Sequence, residues 1–158
     1  MKIGVISDTH GSINPAAFEY FNDVALILHA GDIGNSDIIT ELEAFAPVTA
    51  VLGNTDGFPF AGRFPESELI YIEGKKVYMT HAVINGNHQI PSVMKEISNI
   101  GPDIVIFGHT HRQHAFEEKG IFFFNPGSAG PVREGTRPGV GVLTIEDVGL
   151  SHEIFYLD

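Results

Sequence analysis

Five times along this chain an apolar run of strand length stops at a short polar cluster. Residues 3–6 lead into Ser7-Asp8-Thr9-His10-Gly11, 24–28 into His29-Ala30-Gly31-Asp32, 48–52 into Gly53-Asn54-Thr55-Asp56-Gly57, 76–79 into Thr80-His81, and 104–107 into Gly108-His109-Thr110-His111. Short apolar runs rich in β-branched residues read as buried strands, and glycine at an exit lets the chain turn sharply out of a sheet. Helix signals stand between them. Asn14 before Pro15 predicts a short helix to about residue 21, Ser36 caps a helix over 37–45 that Pro47 stops, and Pro91 opens one that runs to Ile100 before Gly101-Pro102. Strands separated by helices lie parallel in one sheet, and open α/β sheets bind ligands at the carboxyl edge of their strands. The five clusters are therefore expected to converge.

The rest of the chain reads as hairpins and loops. Residues 69–72 and 76–79 flank Glu73-Gly74-Lys75, 115–118 and 121–124 flank Lys119-Gly120, and 140–145 and 152–157 close the chain around Asp147-Val148-Gly149. Residues 58–65, rich in proline, glycine and phenylalanine, read as a loop, as do residues 82–89 around Asn85-Gly86-Asn87. With 158 residues, 43% of them apolar, and no internal repeat or linker, one domain over 1–158 is expected. A formal charge of −11 argues against a duplex-binding surface but leaves room for a small nucleotide. There is no cysteine, so any metal must use nitrogen and oxygen ligands. No run reaches membrane-spanning length and the apolar stretch after Lys2 is too short for a signal-peptide core, so a cytoplasmic protein is expected. A homo-oligomer is compatible with the chain, which carries no signal that sets its oligomeric state.

The clusters together supply Asp8, His10, Asp32, Asn54, His81, His109 and His111, more ligands than one ion needs. Two divalent metals are the natural reading. A carboxylate can bridge ions about 3.5 to 4 Å apart, and Asp32 is the candidate bridge. Two such ions outweigh two aspartates and a hydroxide, so the pocket suits an anionic substrate, and a water held between them is acidified enough to attack phosphorus in line.

Asp8-Thr9-His10, Gly31-Asp32, Gly53-Asn54, His81 and Gly108-His109-Thr110-His111, in that order and at strand ends, resemble the calcineurin-like metallophosphoesterase superfamily, in its small prokaryotic phosphodiesterase branch. The resemblance covers nearly the whole chain, including Asn125-Pro126-Gly127-Ser128. It implies an α/β fold, a four-layer α/β/β/α sandwich of two mixed sheets flanked by helices, with a dinuclear site. The first ion would take Asp8, His10, Asp32 and His111, and the second Asp32, Asn54, His81 and His109. Manganese and nickel, with iron or zinc as further choices, are the ions the resemblance implies. The implied activity is phosphodiester hydrolysis on a small phosphoester or nucleotide. A phosphomonoesterase or nucleotide pyrophosphatase is the alternative, and a non-catalytic scaffold like the retromer subunit of similar fold is another.

Two departures bear on the proton donor. Larger relatives carry Gly-Asn-His-Glu where this chain has Thr55 and Asp56 after Asn54, so Asp56 is the candidate acid, with a turn role at Asp56-Gly57 the competing reading. Small relatives carry His-Gly-His where this chain has His81-Ala82-Val83, and His88 is the candidate stand-in near the substrate. His29 is expected behind the ligands rather than among them. His114 and His152 read as ordinary surface or hydrogen-bonded residues. Phenylalanines 122, 123 and 124 fit a strand covered on both faces better than a base-stacking platform. Arg133 and Arg137 lie in a late loop, as solvated charges or as a grip on phosphate.

Overall fold

The computed structural model describes residues 1–58 and 60–158; Pro59, within the expected loop over 58–65, lies outside the described residues. The strands are β1 (Lys2–Ile6), β2 (Leu26–His29), β3 (Val48–Ala50), β4 (Ser67–Ile72), β5 (Lys75–Thr80), β6 (Ile84–Asn85), β7 (His88–Gln89), β8 (Ile104–Ile106), β9 (Gln113–Glu118), β10 (Ile121–Pro126), β11 (Gly139–Glu146) and β12 (Gly149–Tyr156). Two α-helices, α1 (Ser36–Glu43) and α2 (Pro91–Ile100), and 3-10 turns at Pro15–Tyr20 and Phe60–Gly62 complete the described elements.

Ten strands form two mixed sheets, ordered β12-β11-β1-β2-β3 and β4-β5-β8-β10-β9. Each contains a parallel trio, β1-β2-β3 running to one edge of the first sheet and β5-β8-β10 at the centre of the second. Antiparallel strands β11 and β12 extend the first trio on the β1 side, and β4 and β9 flank the second on both sides. Side chains alternate across each sheet. Ile3 and Val5 of β1 join Leu28, Val77, Met79, Ile104, Ile106 and Leu143 in the layer between the sheets. Ile6, Ile27, Val140 and Val142 face the other way, onto Ile38, Ile39 and Leu42 of α1 and onto Ala17 and Phe21. On the far side of the second sheet, Ile97 of α2 packs with Val105, Phe107 and Phe123. Helices therefore cover both outer faces, and the four layers follow.

Local chemistry sets several boundaries differently from the pattern reading. Asn35, one residue before Ser36, caps α1 by accepting from Asp37 N–H at 2.9 Å. Asn14 does cap the next segment, accepting from Ala16 N–H at 3.1 Å, but that segment is a 3-10 turn. It brings Phe21 flat against β1, where a Cβ on Gly4 would lie 2.8 Å from the ring. The loop expected over 82–89 contains the two-residue ladder β6-β7, in which Asn85 stands opposite His88. Pro91 and the left-handed Gly101 bound α2 as expected. Among the described residues, no helix is long and apolar enough to cross a membrane.

Candidate metal centre

The site is built where the two parallel trios end. The exits of β1 and β2 are zipped together by Asp8 N–H to Gly31 O (3.0 Å), His10 N–H to Asp32 O (2.9 Å) and Gly11 N–H to Ile33 O (2.8 Å). The exit of β8 is tied to β5 by Gly108 N–H to His81 O at 2.9 Å. The sheets meet at Asp8: its Oδ2 accepts from Ser7 Oγ (2.7 Å) and from His109 N–H (3.0 Å), and its carbonyl accepts from Ser128 Oγ (2.8 Å). A Cβ on Gly108 would collide with Ser7, and one on Gly53 with Asp32, so only glycine allows these approaches.

Among the described residues, seven other than glycine have positive φ, and five of them are Asp8, His10, Asp32, His109 and His111; the other two are hairpin-turn residues Glu73 and Lys119. The left-handed conformation costs an L-residue about 1 kcal/mol or more, and such residues collect where the chain must aim side chains. Here it turns each side chain inward from its strand end.

Asp8 Oδ1 lies 3.9 Å from His10 Nε2, 3.8 Å from His81 Nε2 and 3.3 Å from His111 Nε2. Asp32 Oδ2 lies 3.6 Å from His10 Nε2 and 3.3 Å from His81 Nε2. Two triads, Asp8-His10-His111 and Asp8-Asp32-His81, have ligand atoms close enough to hold a cation. Asn54 Oδ1 lies 3.1 Å from His109 Nδ1 beside them. The opposite atoms are already engaged. Asp32 Oδ1 accepts from Thr55 N–H at 2.9 Å, and His81 Nδ1 lies 2.7 Å from Ala30 O, which places the ring proton there and the Nε2 lone pair in the cluster. Asp8 Oδ1, His81 Nε2 and His111 Nδ1 are buried without a hydrogen-bond partner. A buried anionic oxygen and an imidazole lone pair facing each other unpaired fit a cation between them.

The electrostatics agree. Burial pushes the Asp8 carboxyl up, but the nearby His111 and His81 rings outweigh that, and the net shift is downward. Asp32 is also burdened by burial, yet His81 and the Thr55 N–H hold it well below the usual carboxylate range. Both aspartates are thus anions. His81 is pushed down by burial and up, by more, through Asp32 and Asp8. Burial, then the neighbouring His81, lowers His109.

The family described as the calcineurin-like phosphoesterase superfamily domain matches residues 1–148. The chain belongs to that superfamily. It is 40% identical to a probable metallophosphoesterase of Methanothermobacter thermautotrophicus over 98% of this chain and 91% of the relative. A solved structure described as a novel archaeal phosphodiesterase superposes with a TM-score of 0.77 at 28% identity, covering 98% of this chain and 100% of that one. A single mutant of Vps29 from Entamoeba histolytica superposes with a TM-score of 0.78 at 26% identity over 99% of both chains.

In this calcineurin-like phosphoesterase all seven residues expected as ligands stand at one place, while the other candidates fall differently. Asp56 points at backbone: Oδ1 accepts from Ile33 N–H (2.9 Å) and Gly34 N–H (3.1 Å), and Oδ2 from Ile33 N–H (3.0 Å) and Gly53 N–H (2.9 Å). It clamps the loop of Asp32 to the loop of Asn54. His88 is exposed in β7 and, among the described residues, makes no side-chain hydrogen bond. Arg137 is paired through two 2.8 Å bonds with Asp158 and lies over the Tyr156 ring, while Arg133 is exposed.

Several supporting residues carried no role in the pattern reading. Asn125 is buried and donates to Gly108 O (2.9 Å) and Thr110 Oγ1 (3.2 Å), holding the loop of both histidines. Ser7 and Ser128 fix Asp8. His29, which did have an expected place behind the candidate ligands, is found there. Its Nδ1 accepts from Gly31 N–H at 3.1 Å, and its Nε2 lies 3.0 Å from Thr9 Oγ1, which gives its own proton to Ile33 O. That network requires a neutral ring, and burial lowers its pKa to about 4. The signal for Asn125 and Ser128 was the tight Asn-Pro-Gly-Ser string; a polar string leaving a buried strand has to spend its side chains on backbone partners.

Proposed function

We propose that the chain is a phosphodiesterase that works with two divalent cations, manganese or nickel first among the choices. Asp8, His10, Asp32 and His111 would hold one and Asp32, Asn54, His81 and His109 the other. The observation that carries this is the facing of Asp8 Oδ1, Asp32 Oδ2 and the Nε2 atoms of His10, His81 and His111, all between 3.3 and 3.9 Å apart where paired. Asp8 belongs to both triads, but Asp32 suits the bridge because its Oδ2 lies between His10 and His81 while its Oδ1 is anchored to Thr55.

When bound, such ions supply Lewis acidity and bring the pKa of a shared water towards neutrality. The chain's residues do the rest. The two ionised aspartates leave part of the cations' charge unbalanced, which favours an anionic phosphoester. The Ala30 carbonyl holds His81 in one tautomer, and the Thr55 amide holds Asp32 in one orientation. Asn54 can turn its Nδ2 to a phosphoryl oxygen while its Oδ1 faces His109. Asp56, spent on three backbone amides, serves the loops. His88, exposed opposite Asn85, is the group left to meet a leaving oxygen.

Monoester or pyrophosphate hydrolysis is the second enzymatic reading of the same site. The fold shared with Vps29 also leaves room for a binding scaffold, and the gathering of the seven expected ligand residues at one place supports the enzyme over it. Initial rates on a chromogenic phosphodiester and its monoester, after chelation and manganese or nickel add-back, separate these. Metal-dependent diester cleavage lost in His109→Ala is expected. Preference for the monoester would favour the second reading, and silence on both would favour the scaffold.

A further inference from the structure

The ladder β6-β7 returns the chain to the site immediately after β5 delivers His81. It places Asn85 Oδ1 3.4 Å from His109 Nε2, on the side of the ring opposite Asn54, whose Oδ1 is 3.1 Å from Nδ1. Two amide oxygens therefore flank one imidazole. A neutral imidazole has one N–H and one lone pair, and it cannot donate to both. If Nδ1 and Asn54 Oδ1 share a cation, the lone pair sits on Nδ1 and the proton on Nε2, facing Asn85.

We infer that Asn85 is a positioning residue for His109: its amide oxygen accepts the Nε2–H, so that the ring offers Nδ1 to the second cation. This rests on the two-cation reading above. The contrast with His81 is informative. That ring is oriented by a buried backbone carbonyl at 2.7 Å, whereas His109 is oriented by one side chain on an exposed hairpin at a long 3.4 Å. Partners of this kind set tautomer and ring direction, and their removal weakens metal binding about 10- to 100-fold. The length of the Asn85 bond places its effect at the low end. The second cation is thus the more weakly held, and the hairpin, through Asn85, sets how weakly.

The test is calorimetric titration of the metal-free protein with manganese, in wild type, Asn85→Ala and Asn85→Asp, with zinc-loaded protein used for nitrogen-detected NMR of the His109 ring. The expected result is two binding steps in wild type, with the weaker step lowered about tenfold in Asn85→Ala and the tighter step unchanged. Asn85→Asp, which keeps an acceptor, should restore the weaker step, and the Nε2–H form of His109 should dominate in wild type. Two wild-type steps with an unchanged weaker step in Asn85→Ala would overturn the role of Asn85 alone. Fewer than two equivalents bound by wild type would overturn the two-cation reading and the inference with it.

Discussion

Replacing Asp56 separates a proton donor from a loop clamp. Its carboxylate satisfies the N–H groups of Ile33, Gly34 and Gly53, which no other acceptor among the described residues reaches. A hydrogen bond to a charged acceptor contributes about 1.5–3 kcal/mol when buried, but Gly34 is exposed and Gly53 half-buried, so water recovers part of the loss. About 1 kcal/mol per N–H remains, or about 3 kcal/mol for Asp56→Ala. For a chain of this length that lowers the melting temperature by about 10 °C. Asp56→Asn keeps an oxygen for Ile33 and Gly34 and turns an NH2 onto Gly53 N–H, so it should cost less, about 1–2 kcal/mol. Both variants should also bind manganese more weakly, because the clamp joins the loops of Asp32 and Asn54. Thermal melts of metal-free protein, with calorimetric titration beside them, are the assay. An Asp56→Asn protein that melts and binds metal like wild type but has lost turnover would refute the clamp and restore the acid.

His29 should tie stability to pH. Its pKa falls from 6.5 in the unfolded chain to about 4 in the fold, so between those values the unfolded chain binds a proton that the native state lacks, and stability drops on acidification by up to about 3 kcal/mol. Denaturant unfolding of metal-free protein across that window should show the slope reduced in His29→Gln; an identical slope would exclude His29 as its source. Metal affinity should rise with pH, because a cation at His81 Nε2 displaces a proton that Asp32 and Asp8 retain there above the ordinary value, and the rise should level off once His81 is neutral. Titrations in buffers of different ionisation enthalpy would detect that proton, and none released at mildly acidic pH would contradict it. Gly53→Ala should lose about 1–3 kcal/mol and most metal binding, since its Cβ would collide with the Asp32 backbone and carboxylate. Wild-type melting in that variant would show that the loops yield where the packing says they cannot.

The strand exits were legible because parallel strands covered on both faces are apolar throughout, so the first polar residue marks where each leaves the sheet. The same contrast exposed the seven residues proposed as ligands. What was not legible was conformation and partnership across distance. Nothing in Asp8 or His10 announces a left-handed backbone, which is imposed by the zipping of β1's exit to β2's. Asp56 reads as a candidate acid or a turn residue, and its part as a clamp appears only when residues 23 apart in sequence are brought together. Asn35 and Ser36 are adjacent residues with equal capping chemistry, and tertiary position chose between them. The β6-β7 ladder is too short for alternation to register. Arg137 reads as free until Asp158 is seen to fold back beside it.

The most direct test of the central claim is a titration of chelated protein with manganese while hydrolysis of a chromogenic phosphodiester is followed. Cleavage should be absent without metal, rise with added ion and reach its plateau only at two equivalents, with Asp32→Ala inactive throughout. Cleavage that persists after chelation, or that is complete at one equivalent, would contradict a two-cation phosphodiesterase built on Asp32.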